Sequence, residues 1–259
     1  MIKLVATDID GTLVKDGSHT PNPAMWDMVL ALRAKGMQFA AASGRQWASI
    51  EQMFEPVKEK IFYISDNGAY VGCHGRNLFL NKLDRGASDA IIADAREAGL
   101  DIMLSAPDVV YMDRRNMEFV DWMRDGYRYR VNLVDDLARV GEDLIKVSLY
   151  KKSGIEAATA QIREKYKDRL KITISGDMWM DAMVPGVSKG WAINLLQESL
   201  FITPRETMAF GDQLNDLEML DAAYYSFAVG NARPEVKAAA RFQADLCERD
   251  GVLKILGLL

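Results

Sequence analysis

Along the first 70 residues the hydrophobic pattern switches between two periods. Residues 2–7 form a short apolar run with β-branched members, which predicts a buried strand. Residues 23–35 carry apolar positions at helical spacing, and Gly36 just beyond them fits a helix C-terminal cap. Residues 37–42 are again strand-like, 46–54 helical, and 61–65 a third apolar run. Strand, helix, strand, helix, strand predicts right-handed crossovers and a parallel sheet with helices on both faces. The alternation returns late in the chain, with helices over 189–199, 214–223 and 234–241 and strands over 207–210 and 225–229. Thr203-Pro204-Arg205-Glu206 is a capping box with Pro at its first helical position. The two ends of the chain read as parts of one sheet.

The middle differs. Strand candidates at 101–104, 109–112, 144–151, 171–175 and 178–184 follow one another with short turns, which predicts antiparallel pairing. Helical patterns lie near 86–98, 115–125 and 154–167. The expected organisation is a core made of residues 1–81 and 186–259, interrupted by an α/β insertion over 82–185.

Composition narrows the class. With 259 residues, 49% hydrophobic and 27% charged, the chain is long enough to bury a sizeable core and is neither collagenous nor largely disordered. A net charge of −5 without a basic run argues against a nucleic-acid or membrane-surface binder. No stretch approaches the ~20 apolar residues of a membrane span. Cys73 and Cys247 form no metal-type cluster, and a cytoplasmic, reduced protein is expected.

The strongest chemical signal is Asp8-Ile9-Asp10-Gly11-Thr12, directly after the first strand. Residues i and i+2 of an extended segment point the same way, so Asp8 and Asp10 both project past the strand's C-terminal end. That is the edge of a parallel sheet where ligands bind. Crowded carboxylates do not ionise together easily, so one can serve as nucleophile and the other as proton donor. A second acidic cluster, Gly211-Asp212-Gln213-Leu214-Asn215-Asp216, follows another apolar run and opens a helix. Capping needs one such residue, and three stand within five positions. Adjacent strands lie ~4.8 Å apart, so Asp8 and Asp212 can share one Mg²⁺ with oxygens at ~2.1 Å. An all-oxygen donor set favours Mg²⁺ over zinc. His19 and His74 show no ligand spacing.

Ser43-Gly44-Arg45 follows the second strand and precedes a helix, where a hydroxyl and backbone N–H groups can hold a phosphate. An ordinary strand-to-helix turn has the same composition. Lys189, in Gly186-Val187-Ser188-Lys189-Gly190, begins a helix, a place the helix dipole makes mildly unfavourable for a cation and which suggests an anionic partner, although this motif by itself is more often an ordinary solvated lysine.

Taken in order, these segments resemble the haloacid dehalogenase-like (HAD) phosphohydrolases, and within them the Cof-type subgroup (type IIB) with its large α/β cap. Asp8–Thr12 is similar to the family's first motif, Ser43 to its second, Lys189 to its third, and Gly211-Asp212 with Asn215-Asp216 to its fourth. Ser65-Asp66-Asn67-Gly68-Ala69 resembles the subgroup's Asn-Gly-Ala segment, and Val229-Gly230-Asn231-Ala232, Pro234–Lys237 and Asp250-Gly251-Val252 its C-terminal signature. The resemblance implies a Rossmann-like core of strand order 3-2-1-4-5 with an inserted cap. It implies an Mg²⁺-dependent phosphatase of small phosphorylated metabolites, sugar phosphates foremost, acting through an aspartyl-phosphate on Asp8. Asp10 then acts as acid and base. Mg²⁺ is held by Asp8, Asp212 and the main-chain carbonyl of Asp10, with Asp216 in the metal shell or orienting Lys189. Ser43, Gly44, Arg45, Asn67, Lys189 and Asn215 surround phosphate and substrate. A phosphomutase of similar architecture, or a metabolite-binding regulator without catalysis, are the alternatives. The intact Asp8, Asp10, Ser43, Lys189 and Asp212 argue against the latter. In the cap, Arg114, Arg115, Arg124, Arg128 and Arg130 alternate with Trp122, Tyr127 and Tyr129, a pattern able to grip a polar group but equally a solvated face. Trp179, Met180 and Met183 read as core.

Overall fold

All four residues of the first strand, β1 (Leu4–Thr7), are buried, so this strand has neighbours on both edges and layers on both faces. The computed structural model, which describes residues 1–175 and 177–259, supplies them. The strands are β2 (Gln38–Ala42), β3 (Phe62–Ser65), β4 (Tyr70–Cys73), β5 (Arg76–Leu80), β6 (Asp101–Ser105), β7 (Val110–Met112), β8 (Val131–Leu133), β9 (Lys146–Tyr150), β10 (Lys171–Ser175), β11 (Trp179–Met183), β12 (Thr207–Gly211), β13 (Tyr225–Ala228) and β14 (Phe242–Gln243). One sheet runs β14-β13-β12-β1-β2-β3-β4-β5. Its strands from β3 through β13 are parallel in the expected 3-2-1-4-5 order, since β1 pairs with both β2 and β12. The hairpin β4–β5 and the short edge strand β14 extend it beyond the expectation.

Helices α1 (Ala24–Ala34), α2 (Trp47–Met53), α7 (Lys189–Leu200), α8 (Leu217–Asp221), α9 (Pro234–Ala239) and α10 (Gly251–Leu256) accompany this sheet. The other sheet, β10-β11-β9-β6-β7-β8, is antiparallel except where β7 pairs with β8. Helices α3 (Arg85–Glu97), α5 (Ile155–Ala158) and α6 (Ala160–Tyr166) cover one face of it, packing on Ile102, Leu104, Val147 and Leu149. Its opposite face carries Met103, Lys146, Ser148, Trp179 and Asp181, the alternate positions of the same strands.

Three expected helices are subdivided. The 154–167 pattern breaks at Thr159, whose hydroxyl donates to the Ile155 carbonyl and competes with the helix ladder. The 115–125 pattern becomes α4 (Met117–Asp121) followed by a π-helical turn at Trp122–Gly126, closed by the Tyr127 N–H to the Trp122 carbonyl. The 214–223 pattern opens with a 3₁₀ turn, Leu214–Asp216, before α8. Among the described residues no helix is long and apolar enough to cross a membrane.

Candidate active site

Asp8 leaves β1 and Asp212 leaves β12, and these strands pair in register, Thr7 beside Phe210. Two motifs 200 residues apart thus meet at one sheet edge. Gly11 makes the meeting possible: its φ is +80°, and a Cβ there would lie 2.4 Å from Asp212 Oδ2. Thr12 Oγ1 donates to Asp212 Oδ1 at 2.9 Å. Asn231 Nδ2 donates to the Gly11 carbonyl at 2.7 Å, tying the C-terminal segment to the same turn.

Lys189 opens α7, a helix capped by Ser188, whose hydroxyl accepts the Trp191 N–H. Its ammonium is buried and donates to Asp8 Oδ1 at 2.5 Å and to Asp216 Oδ1 at 2.7 Å. The anionic partner its position demanded is therefore double. Gly68 allows α7 to approach: with φ +98°, it packs where a Cβ would fall 2.3 Å from the Ser188 carbonyl.

Asp216 has both oxygens engaged. Oδ1 takes Lys189, and Oδ2 accepts the backbone N–H groups of Asp212 and Gln213, each at 2.9 Å. Of the roles left open for it, orienting Lys189 matches these contacts. Ligand atoms of Asp8, Asp212 and Asp216 all lie within 4.8 Å of one another. Burial, with Asp216 beside it, raises the Asp8 carboxyl well above the ordinary range although Lys189 opposes the shift. The same two causes push Asp212 up to about 7. Burial works against the Lys189 ammonium, yet Asp216 and Asp8 raise it above an ordinary lysine. Three buried carboxylates facing one ammonium leave excess negative charge among hard oxygen donors. That donor set fits a divalent cation such as Mg²⁺.

Arg45, grouped on sequence with the phosphate-binding residues, turns instead to Asp10. Its Nε and Nη2 donate to Asp10 Oδ2 and Oδ1 at 2.7 and 2.6 Å, and Nη2 also reaches the Ser18 carbonyl. The guanidinium lies 4.7 Å over the Tyr127 ring and is buried. The Asp10 carboxylate is consequently drawn to Arg45 and stands outside the Asp8–Asp212–Asp216 cluster. Ser43 is buried, its hydroxyl accepting the Arg45 N–H at 3.1 Å and its carbonyl accepting the Asn67 N–H. Asn67 sits at φ +55° and joins three segments: its Nδ2 donates to Asp181 Oδ2 at 2.6 Å, and its Oδ1 accepts Asn215 Nδ2 at 3.0 Å.

A cavity of about 740 Å³, part of it open to solvent, lies between the two sheets. Asp8, Asp10, Ser43, Gly44, Arg45, Asp212 and Asn215 line its floor; Tyr127, Tyr129, Lys146, Ser148, Trp179 and Asp181 are among its roof. Sequence reasoning missed Lys146, Ser148 and Asp181. Lys146 is buried, donates to the Gly44 carbonyl at 2.5 Å and lies 3.0 Å from Asp66 Oδ1. Trp179, expected in the core, reaches the cavity and stacks on Trp122; Met180 and Met183 are indeed buried. All five cap arginines are exposed, and none lines the cavity.

A buried carboxylate, Asp8, paired with a lysine at the carboxyl edge of a parallel sheet, with a roofed cavity above it, stands where ligands of such sheets bind. The model of the haloacid dehalogenase-like hydrolases matches residues 5–256, and the chain belongs to that family. It is similar to the 5-amino-6-(5-phospho-D-ribitylamino)uracil phosphatase YbjI of Escherichia coli (strain K12), 27% identical over 98% of this chain and 95% of that one. A crystal structure from Eubacterium rectale superposes with a TM-score of 0.87 at 34% identity, covering 99% of this chain and 98% of the other. The HAD subclass IIB sugar phosphatase BT4131 shares the fold, with a TM-score of 0.87 at 23% identity over 99% and 100% of the two chains. The chain is a Cof-type member of its family and a hydrolase of phosphate esters.

Proposed function

We propose that this phosphatase hydrolyses small phosphorylated metabolites, sugar phosphates among them, with Mg²⁺ and through an aspartyl-phosphate on Asp8. The observation that carries the reading is Asp8 on the floor of the cavity with its Oδ1 2.5 Å from the buried Lys189 ammonium behind it. Residues 1–81 and 186–259 act as the catalytic core and 82–185 as the cap. The uracil phosphatase relative, by its name, takes a phosphate borne on a ribityl chain, a substrate of the size proposed here.

In this reading a carboxylate oxygen of Asp8 attacks phosphorus as the bond to the leaving oxygen breaks. Ser43 and Lys189 hold the phosphoryl oxygens, with the Gly44 backbone beside them. Asp10, aimed by Arg45, delivers a proton to the leaving alcohol oxygen. Water, deprotonated by Asp10, then cleaves the acyl phosphate and restores Asp8. Mg²⁺, held by Asp8, Asp212 and the Asp10 main-chain carbonyl, supplies charge neutralisation between carboxylate and phosphate dianion. Phosphate release from a panel of monoesters, with Mg²⁺ and with EDTA, tests the reading. Mg²⁺-dependent release that disappears in Asp8→Asn supports it; release that survives in Asp8→Asn overturns it.

A further inference from the structure

We propose that Tyr127, carried by the cap, is a positioning residue for proton transfer: it steadies Arg45, and through Arg45 the carboxylate of Asp10. The acid of the reaction is then fully assembled only where the cap meets the core. The inference rests on the phosphatase reading above, in which Asp10 is that acid, and adds a residue to it.

Core residues satisfy the Arg45 guanidinium within its own plane. Nε and Nη2 donate to Asp10, and Nη2 also to the Ser18 carbonyl. Nη1 faces His19 Nδ1 at 3.4 Å and Ser49 Oγ at 3.5 Å. Contacts in the plane of a guanidinium fix where it sits but resist its tilting weakly. A contact on the face resists the tilt, and the Tyr127 ring lies against that face, 4.7 Å from the guanidinium carbon. A tilted fork would no longer match the plane of the Asp10 carboxylate.

Tyr127 is anchored to the same helix start that carries Arg45. Ser49 Oγ donates to the Tyr127 carbonyl at 2.5 Å, and the Arg130 N–H donates to Gln46 Oε1 at 3.0 Å. The Tyr127 hydroxyl donates to Asp16 Oδ1 at 3.2 Å, in the loop that follows Asp10. Trp122 and Tyr129 back the ring edge-on, at 5.2 and 5.7 Å between centroids. Arg128 adopts φ +59°, a left-handed conformation that long side chains rarely take. Such strain persists where the surroundings impose it, and here it falls between two tyrosines that both line the cavity. The nucleophile is held differently. Among the described residues, the hydrogen-bond partners of Asp8 and Asp212, including Lys189, Thr12 and Gln213, all belong to the core. Loss of the Tyr127 ring should therefore weaken proton transfer and spare the attack on phosphorus.

The test uses the intact protein with Mg²⁺ and two esters of one ring, phenyl phosphate and p-nitrophenyl phosphate. Phenolate needs a proton in order to leave far more than p-nitrophenolate does, and kcat/KM reads the steps through that first cleavage. Because the esters share a ring, altered stacking or a loosened cap would move both together. Tyr127→Leu and Tyr127→Met each remove the aromatic face while keeping apolar bulk, so one folded variant suffices. Either should lower the ratio of phenyl to p-nitrophenyl kcat/KM about tenfold, the scale of a desolvated cation–π contact. Tyr127→Phe, which keeps the face, should keep most of the ratio, and Asp10→Asn should lower it further. If Asp10→Asn lowers the ratio but Tyr127→Leu and Tyr127→Met do not, or Tyr127→Phe lowers it as far as they do, the role of the ring is overturned alone. A ratio that Asp10→Asn leaves unchanged overturns Asp10 as the acid and this inference with it. No wild-type turnover of either ester overturns the phosphatase reading itself.

Discussion

Arg45 grips Asp10 with two parallel hydrogen bonds, Nε to Oδ2 and Nη2 to Oδ1. Such a fork fixes the carboxylate in plane as well as in place. The Ser18 carbonyl and the Tyr127 ring hold the guanidinium from behind. In the proposed reaction that fork would aim Asp10 as acid and base. Arg45→Lys keeps a charge but loses the fork. It should lower kcat on the order of 10²-fold, the scale of a misdirected general acid, while KM and inhibition by inorganic phosphate change little. Steady-state kinetics decides: a loss confined to KM would place Arg45 on the phosphate instead.

Asp8 and Asp10 differ in what removing their charge should do. Asp8→Asn takes away the proposed nucleophile and should abolish turnover. Asp10→Asn keeps the phosphate site and should slow hydrolysis far more than it weakens binding of inorganic phosphate. Phosphate-release assays, paired with calorimetric titration of phosphate, separate the two. Equal losses of rate and binding in Asp10→Asn would defeat its assignment as proton carrier.

Asp212, pushed up to about 7 by burial and by Asp216, makes the stability of the metal-free protein depend on pH. Between about 4, the unfolded carboxyl value, and about 7 the folded chain binds more protons than the unfolded chain. Stability therefore falls as pH rises through that window. Asp8, raised in the same direction, adds to the slope. A divalent cation competes with those protons, so its stabilisation should grow over the same range. Melting temperatures in EDTA and in Mg²⁺ at pH 5, 6, 7 and 8 should diverge as pH increases. A gap independent of pH would remove Asp8 and Asp212 from the metal site.

The difference between what was legible in the sequence and what was not follows from how far each signal is local. A strand buried on both faces, such as Leu4–Thr7, must be an apolar run, and the acids that end it stand out against that run. Asp8, Asp10 and Asp212 are legible for this reason, while Ser43 and Lys189 are legible as polar residues at the starts of helices. The hairpin β4–β5 was not, because Arg76–Leu80 is largely exposed and alternates no hydrophobic face. Lys146, Ser148 and Asp181 sit at alternate positions of β9 and β11, where polar residues ordinarily face solvent. Only the placement of the cap sheet over the core turns that face into a roof. Arg45 shows the opposite case: the residue was found but its partner was not, because Asp10 meets it through the folded chain alone. Asp66 and Asn67 did carry a local clue, since Asp-Asn-Gly tolerates the positive φ that both adopt.

Lys146 binds cap to core, and its removal should be costly for a reason separate from catalysis. Its ammonium, buried in the cap strand β9, meets the Gly44 carbonyl and Asp66 of the core and lies 4.0 Å from Asp181. Burial raises the Asp66 carboxyl, and Lys146 is the first influence opposing that rise. Lys146→Met leaves two buried carboxylates without their cation, a change that typically costs ~3–5 kcal/mol. Neutralising the partner should return part of that loss, so Lys146→Met with Asp66→Asn should be more stable than Lys146→Met alone. Urea unfolding of the wild type, both single variants and the double variant completes the cycle. Additive effects would mean that Lys146 and Asp66 do not sense each other, and the cap would then be held by its Asn67–Asp181 hydrogen bond and apolar packing instead.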